Sequence, residues 1–214
     1  MIPPRLVLAT ANRGKGEELR ALVAEWGSVE ALSLAAFPGV VGAEETGGSY
    51  LENALAKARA VASATALPAL ADDSGLEVEA LGGAPGVCSA RWAPTDAARV
   101  ARLLAALGSV PRAARRACFR CVLALAWPGG DAVTAHGTCR GWIATAPSGG
   151  GGFGYDPVFV ADELGCSFAA ASPADKQRVS HRARAARALG ARLAVVSAQR
   201  CVEPGVRVRE SDHL

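Results

Sequence analysis

The chain has 214 residues, half of them hydrophobic and 20% charged, with a formal net charge of +3. That apolar content excludes a disordered chain, and aperiodic glycines and prolines exclude a collagen-like fibre. No run approaches the ~18 apolar residues of a bilayer span, and the N-terminal stretch lacks a secretory apolar region. A cytoplasmic globular protein without a membrane partner is expected.

The elements follow in order. Residues 6–10 read as a short apolar strand leading into a polar loop at 11–15. A helix follows, with Leu19, Leu22, Val23 and Trp26 on one face and Gly27 as its stop. Residues 29–34 read as a second strand. Residues 50–64 are helical, with Leu51, Ala54, Leu55, Ala58 and Val61 facing inward. Residues 69–72 are a short buried strand expected to end in an Asp-Ser-Gly turn. Thr95 or Asp96 caps a helix to Leu107, and residues 117–127 and 132–140 form a hairpin across Pro128-Gly-Gly-Asp131. Ser172, Pro173 and Asp175 carry the cap, first-turn proline and acidic residue of a helix start. One long helix is expected from there to near Ser197, with Leu189, Leu193 and Val196 as its buried stripe. A single domain over residues 1–198 is expected, with 199–214 a frayed tail. Alternating helices and strands with a hairpin give an α/β fold built on a mixed sheet.

Six cysteines raise the question of disulfides, but a chain of this length and apolar content needs no staples. Cys118 and Cys121 form a C-x-x-C inside the strand at 117–127, and the other cysteines are isolated. Buried free thiols are expected.

Several clusters could carry chemistry. The first loop follows a strand and opens a helix, where phosphate is readily held. It is neither a P-loop nor a dinucleotide fingerprint, because Gly16 follows Lys15 and Leu19 stands in place of a third glycine. It offers Thr10 and Asn12 as hydrogen-bonding groups, Lys15 as a charge, and Gly14 and Gly16 for close approach. On its own it also reads as a plain polar turn. Asp72 and Asp73 end a buried apolar run, so a hard cation would relieve their repulsion, and Mg²⁺ needs only one or two protein carboxylates. The plainer reading of Asp-Ser-Gly is an Asx-turn. Glu44 and Glu45 lie just before a helix and offer a second metal arm, or a solvated loop. Asn53 and Lys57, at i and i+4, project from one helix face. Arg91 is either a phosphate clamp or a surface charge. The glycines from 149 to 154 suit a loop that wraps a ligand, and Phe153 and Tyr155 offer faces for a base to stack on. Lys176 and Ser180-His181-Arg182 suit phosphate or the carbonyl edge of a base. Arginine runs at 112–116 and 178–192 also allow a nucleic-acid-binding module, but they read better as solvated helix faces, and +3 is feeble for a polyanion.

Taken in order, Thr10-x-Asn12-x-x-Lys15, Glu45-Thr-Gly…Glu52-Asn-Ala-x-x-Lys57-Ala, Leu70-Ala-Asp-Asp-Ser-Gly-Leu76, Gly152-Phe-Gly-Tyr-Asp-Pro157 and Ser180-His-Arg182 resemble the inosine triphosphate pyrophosphatase (Ham1-like) family. The resemblance runs over residues 6–193. It implies a long mixed central sheet with flanking helices, two lobes around a nucleotide cleft, and a homodimer. It also implies Mg²⁺-dependent hydrolysis of ITP, dITP or XTP to the monophosphate and pyrophosphate. Carried over by position, Thr10, Asn12, Lys15, Lys57 and Arg91 fall on triphosphate-binding residues, with Arg13 and Gly14 in the same loop. Glu45 and Asp73 fall on metal ligands, and Asp73 also on the general base, with Asp72 holding the ion or its waters. Ser74, Phe153, Gly154, Tyr155, Asp156, Lys176, His181 and Arg182 fall on nucleotide and base contacts, with Arg182 expected to donate to a 6-oxo group. The chain departs from the family at Ala170, where a glutamate is common. A Maf-like nucleotide pyrophosphatase is the runner-up, disfavoured by the Phe-Gly-Tyr-Asp and Ser-His-Arg motifs.

Overall fold

The computed structural model describes residues 1–43 and 45–202. Eleven principal elements run in the order β1 (Arg5–Leu8), α1 (Arg13–Val23), β2 (Glu30–Ser33), α2 (Tyr50–Thr65), β3 (Ala69–Val78), α3 (Asp96–Leu107), β4 (Arg116–Ala126), β5 (Ala132–Ile143), β6 (Phe159–Ala161), α4 (Pro173–Val179) and α5 (His181–Val202). One six-stranded sheet has the order β2-β1-β3-β4-β5-β6. β1 lies parallel to β2 and β3, whereas β3 through β6 pair antiparallel. The expected mixed sheet with flanking helices is therefore the observed one. Among the described residues no helix is long and apolar enough to cross a membrane.

The long strands bury different ends of their two faces. On one face Leu70, Cys121, Leu123 and Leu125 pack under α1 and α5, against Leu19, Leu22, Ala186, Leu189 and Leu193. Farther along that face, Leu76, Phe119 and Ile143 pack with Val100, Leu103 and Leu107 of α3. The opposite face carries Ala71, Val122 and Ala124 against Ala54, Ala58 and Val61 of α2. The cleft lies on the first face, between the α1–α5 cover and the α3 cover. Helix starts follow the capping signals: Asn12 Oδ1 accepts from Lys15 N–H, Ser49 and Glu52 complete a capping box, and Thr95 caps α3.

Several expectations need correction. Residues 73–75 are not a turn: β3 continues to Val78 because all ten of its residues pair with β4. The C-terminal helix is two helices, broken where Ser180 turns extended at φ −65° and ψ 153°. Its N–H closes α4 on Lys176 O, and its Oγ accepts from Ala183 N–H to start α5. α5 runs past Ser197 to Val202, so residues 199–202 are helical, while the expected tail from 203 lies outside the described residues, as does Glu44. Leu51 is exposed rather than inward, and the short strand β6 is an addition. Cys121 and Cys139 are buried free thiols as expected, but Cys88 is exposed.

Candidate active site

Strand geometry determines how the acidic pair is used. Successive side chains of a strand point to opposite faces, so Asp72 and Asp73, though adjacent, enter different surroundings. Asp72 faces α1 and α5. Its Oδ1 lies 2.6 Å from Lys15 Nζ and accepts from Ser74 Oγ at 2.8 Å, while Oδ2 accepts from Arg182 Nε at 2.9 Å and Cys121 Sγ at 3.0 Å. Burial alone would raise this carboxyl, but the charges of Arg182 and Lys15 outweigh it and hold Asp72 well below the ordinary carboxylate range. Asp73 faces α2. Its Oδ1 accepts from Lys57 Nζ at 2.9 Å and its Oδ2 from Asn53 Nδ2 at 3.2 Å. Here burial, reinforced by the neighbouring Glu45, lifts the pKa above the ordinary value despite Lys57. Each aspartate has its own cationic partner on its own side of the sheet.

Around Asp73 two of the groups expected to hold phosphate, Lys57 and Arg91, meet Glu45. Lys57 Nζ also donates to Glu45 Oε1 at 2.6 Å and to Asp72 O at 2.7 Å. Burial would lower Lys57, but Asp73 and Glu45 raise it, so it stays charged. Burial would likewise raise Glu45, yet its bond to Lys57 keeps it lowered. Arg91 Nη1 donates to Glu45 O at 2.8 Å and lies 3.3 Å from Glu45 Oε2. Thr10 Oγ1 accepts from Asn12 N–H at 3.2 Å and shapes the turn that starts α1. Among the described residues no cluster of three or more His, Cys, Asp or Glu side chains is arranged for a metal.

The cleft itself, on the Asp72 side of β3, offers a surface that could meet a planar ring. Arg182 is buried, and its guanidinium donates to Asp72, to Ser74 Oγ at 3.0 Å and to Glu18. Its expected role as donor to a 6-oxo group thus meets a side chain already committed to anchoring the site. His181 stacks on Phe119, with ring centroids 4.6 Å apart and planes 10° apart. Burial, then the charge of Arg182, pushes its pKa well down, so the imidazole is neutral, and its buried Nδ1 lacks a hydrogen-bond partner among the described residues. Lys176 Nζ lies 4.8 Å from the Phe153 ring centroid and bridges Asp156 Oδ2, at 2.5 Å, to Glu18 Oε1, at 2.7 Å. Burial raises Asp156 in spite of Lys176. Phe153 closes the cleft against α1, where a Cβ on Gly14 would stand 2.5 Å from its ring. The space left between Lys15, Ser74, Phe153 and Arg182 is about 70 Å³.

Two expected residues do not join this surface. Arg13, one position before Gly14 on α1, points into solvent and pairs with Glu17 at 2.8 Å. Tyr155 lines the cleft but is buried in the α3-side core, its hydroxyl donating to Ser89 O at 3.0 Å, so the half-buried Phe153 is the platform. Ala170 is exposed and makes no carboxylate contact, as its side chain dictates. Glu18, which ties Lys176 to Arg182, is absent from the sequence reading. Its signal was its place three residues after Lys15, on the same face of α1.

Residues 6–192 match the model of the Ham1 family. The chain is 49% identical over 183 residues to a dITP/XTP pyrophosphatase of Geobacillus kaustophilus, covering 84% of this chain and 89% of the relative. It is 44% identical over 200 residues to a dITP/XTP pyrophosphatase of Vibrio parahaemolyticus, covering 91% and 99%. Its fold is similar to a HAM1 protein from Coxiella burnetii, with a TM-score of 0.79 and 39% identity over 89% of this chain and 98% of that one. It is also similar to the Staphylococcus aureus Ham1 protein, with a TM-score of 0.78 and 36% identity over 90% and 99%. With nearly its whole length matched, the chain belongs to the Ham1 family.

Proposed function

We propose that this chain hydrolyses the non-canonical purine nucleoside triphosphates ITP, dITP and XTP to the monophosphate and pyrophosphate, acting in the cytoplasm as a Mg²⁺-dependent homodimer. The observation that carries this reading is the division imposed by β3. Asp73 sits with Lys57, Glu45 and Arg91 in surroundings suited to phosphate, while Asp72 anchors Arg182 beside His181 and Phe153 in surroundings suited to a base. The dITP/XTP pyrophosphatase names of the relatives agree with it.

A carboxylate lifted by burial is a stronger base than a free one, so Asp73 is suited to take a proton from water attacking the α-phosphorus. The new P–O bond forms as the bond from that phosphorus to the bridging oxygen breaks, and pyrophosphate departs with the electron pair. Lys57, Lys15 and Arg91 offset the charge of the triphosphate and of the leaving group. Glu45 and Asp73 fit a Mg²⁺ site: both are hard oxygen donors on one side of β3, the charge of Glu45 makes ionised Asp73 costlier, and two carboxylates suffice for this ion. When bound there, the ion supplies further neutralisation of phosphate oxygens. On the base side, Lys176 and Phe153 offer a charge and a stacking face. The first N–H groups of α5, at His181 and Arg182, have no intrahelical acceptor and can receive a 6-oxo oxygen. Adenine's 6-amino group would face those donors unpaired, a mismatch that costs orders of magnitude.

The test is pyrophosphate release with Mg²⁺ over ITP, dITP, XTP, GTP and ATP, for the wild type and Asp73→Asn. Preference for the first three, lost in the variant, is expected. Equal turnover of ATP, or full activity of the variant, would overturn the reading.

A further inference from the structure

The glycine-rich segment that carries Phe153 is closely packed at Gly149 and Gly152, where an added Cβ would stand 2.3 Å from Ala169 and 2.1 Å from Asp156, but not throughout. A cavity of about 540 Å³ lies on its α1–α4 side and another of about 510 Å³ on its α3 side. A Cβ at Gly150 or Gly154 would meet nothing within 4 Å. At Gly154 the dispersion contacts that fix an ordinary wall are therefore missing, and a hydrogen bond decides where that residue stands. Asp156 Oδ2 accepts from Phe153 N–H at 2.8 Å, and Tyr155 is tied to Ser89. Gly151 N–H also donates to Ala169 O at 3.0 Å, and the tether from α3 is Gly154 N–H, which donates to Asp96 Oδ2 at 2.7 Å.

Asp96 is itself fixed. Its Oδ1 lies 2.5 Å from Arg99 Nη1, and Arg99 Nε donates to Ala93 O at 2.9 Å. The helix does not need Asp96 as a cap, because Thr95 Oγ1 accepts from Ala98 N–H. Its carboxylate is thus free of any duty to the helix ladder, and it holds the one residue between Phe153 and Tyr155. Gly154 has φ +62°, a conformation whose neighbours in space impose little.

We propose that Asp96 is a positioning residue for the nucleobase wall, fixing through Gly154 N–H where Phe153 stands and so how strictly the site separates one base from another. This rests on the activity proposed above. Without the tether Phe153 keeps its ring but loses its reference to α3. Nucleotide affinity and base discrimination suffer, whereas the chemistry around Asp73, on the other face of β3, continues.

The experiment compares wild type, Asp96→Ala and Asp96→Asn by hydrogen exchange of the amides in residues 150–155, and by kcat and KM for ITP and GTP. Asp96→Ala is expected to speed exchange of the segment, raise KM for ITP ~3–10-fold with kcat nearly unchanged, and narrow the ITP-over-GTP preference by a similar factor, the scale of one charge-assisted hydrogen bond at a partly exposed site. Asn keeps an oxygen that can accept the same N–H, so Asp96→Asn should recover most of both effects. Unchanged exchange in Asp96→Ala would overturn the tether, and faster exchange with unchanged KM and preference would overturn the positioning role. A wild type that turns over none of the nucleotides would instead refute the activity reading, and exchange alone would then judge Asp96.

Discussion

Replacing Arg182 with leucine tests how the buried half of the site is held together. Arg182 and Asp72 have side-chain exposures of only 2% and 0%, and Nε and Oδ2 are 2.9 Å apart. Removing one member of a buried ion pair leaves the other charge uncompensated, at a cost of ~3–5 kcal/mol. Asp72 keeps Lys15 at 2.6 Å and the hydroxyl and thiol donors of Ser74 and Cys121, which places the expected loss near the lower end, ~3 kcal/mol at pH 7. Glu18 adds little, since it is one-quarter exposed and retains Lys176. The pH dependence has a definite sign. The folded pKa of Asp72 lies below its unfolded value of ~3.9, so its contribution is present above that pH and is lost as pH falls through the folded value. In Arg182→Leu, burial meets less compensation and the carboxyl takes up a proton at higher pH than in the wild type. The stability gap between the two proteins should therefore narrow as the medium is acidified toward pH ~4. Urea unfolding followed by tryptophan fluorescence at several pH values measures this directly. A gap under ~1 kcal/mol at pH 7, or one that stays constant with pH, would show that Asp72 does not depend on Arg182 for its charge. An Asp72→Asn, Arg182→Leu cycle isolates the pair, and a coupling near zero would point to the same conclusion.

Two further outcomes follow from the site. If Asp73 is the base, kcat/KM falls as acid protonates it, with the limb above the ~3.9 of a free aspartate because burial and Glu45 raise it. Asp73→Asn should abolish that limb and cost ~10²–10⁴ in rate, and a variant that kept both would remove Asp73 from the chemistry. Gly14→Ala places a Cβ 2.5 Å from the Phe153 ring, so the ring must shift. A severalfold rise in KM for ITP with a loss of ~1–3 kcal/mol in stability is expected, and an unaltered KM would argue against Phe153 as the stacking face.

Much of the molecule was legible from local pattern. The apolar period of α1 and α2, the Thr95 cap and the hairpin at residues 128–131 are decided by neighbours a few positions away, and apart from the exposed Leu51 and the end of α1 at Val23 each stands where that pattern put it. The order of the motifs placed the chemistry in the right segments. What local pattern could not reveal is what arrives from afar. Asp-Ser-Gly has the chemistry of a turn, yet ten consecutive pairings with β4 draw it straight, and that one change separates Asp72 from Asp73 by a face of the sheet. Arg182 reads as a free donor beside a helix start until α5 brings it against Asp72 and Glu18, 110 and 164 residues away in sequence. Tyr155 and Phe153 are equivalent aromatics in sequence, but one is buried with its hydroxyl bonded to Ser89 and the other faces Gly14 across the cleft. The sequence by itself determined most of the elements, the family and the chemical groups present, because those depend on short-range periodicity and on residue type. Only the tertiary structure decided which charges share a side of β3 and which side chains remain free to meet a ligand, because burial and ion pairing are settled by contacts between distant parts of the chain.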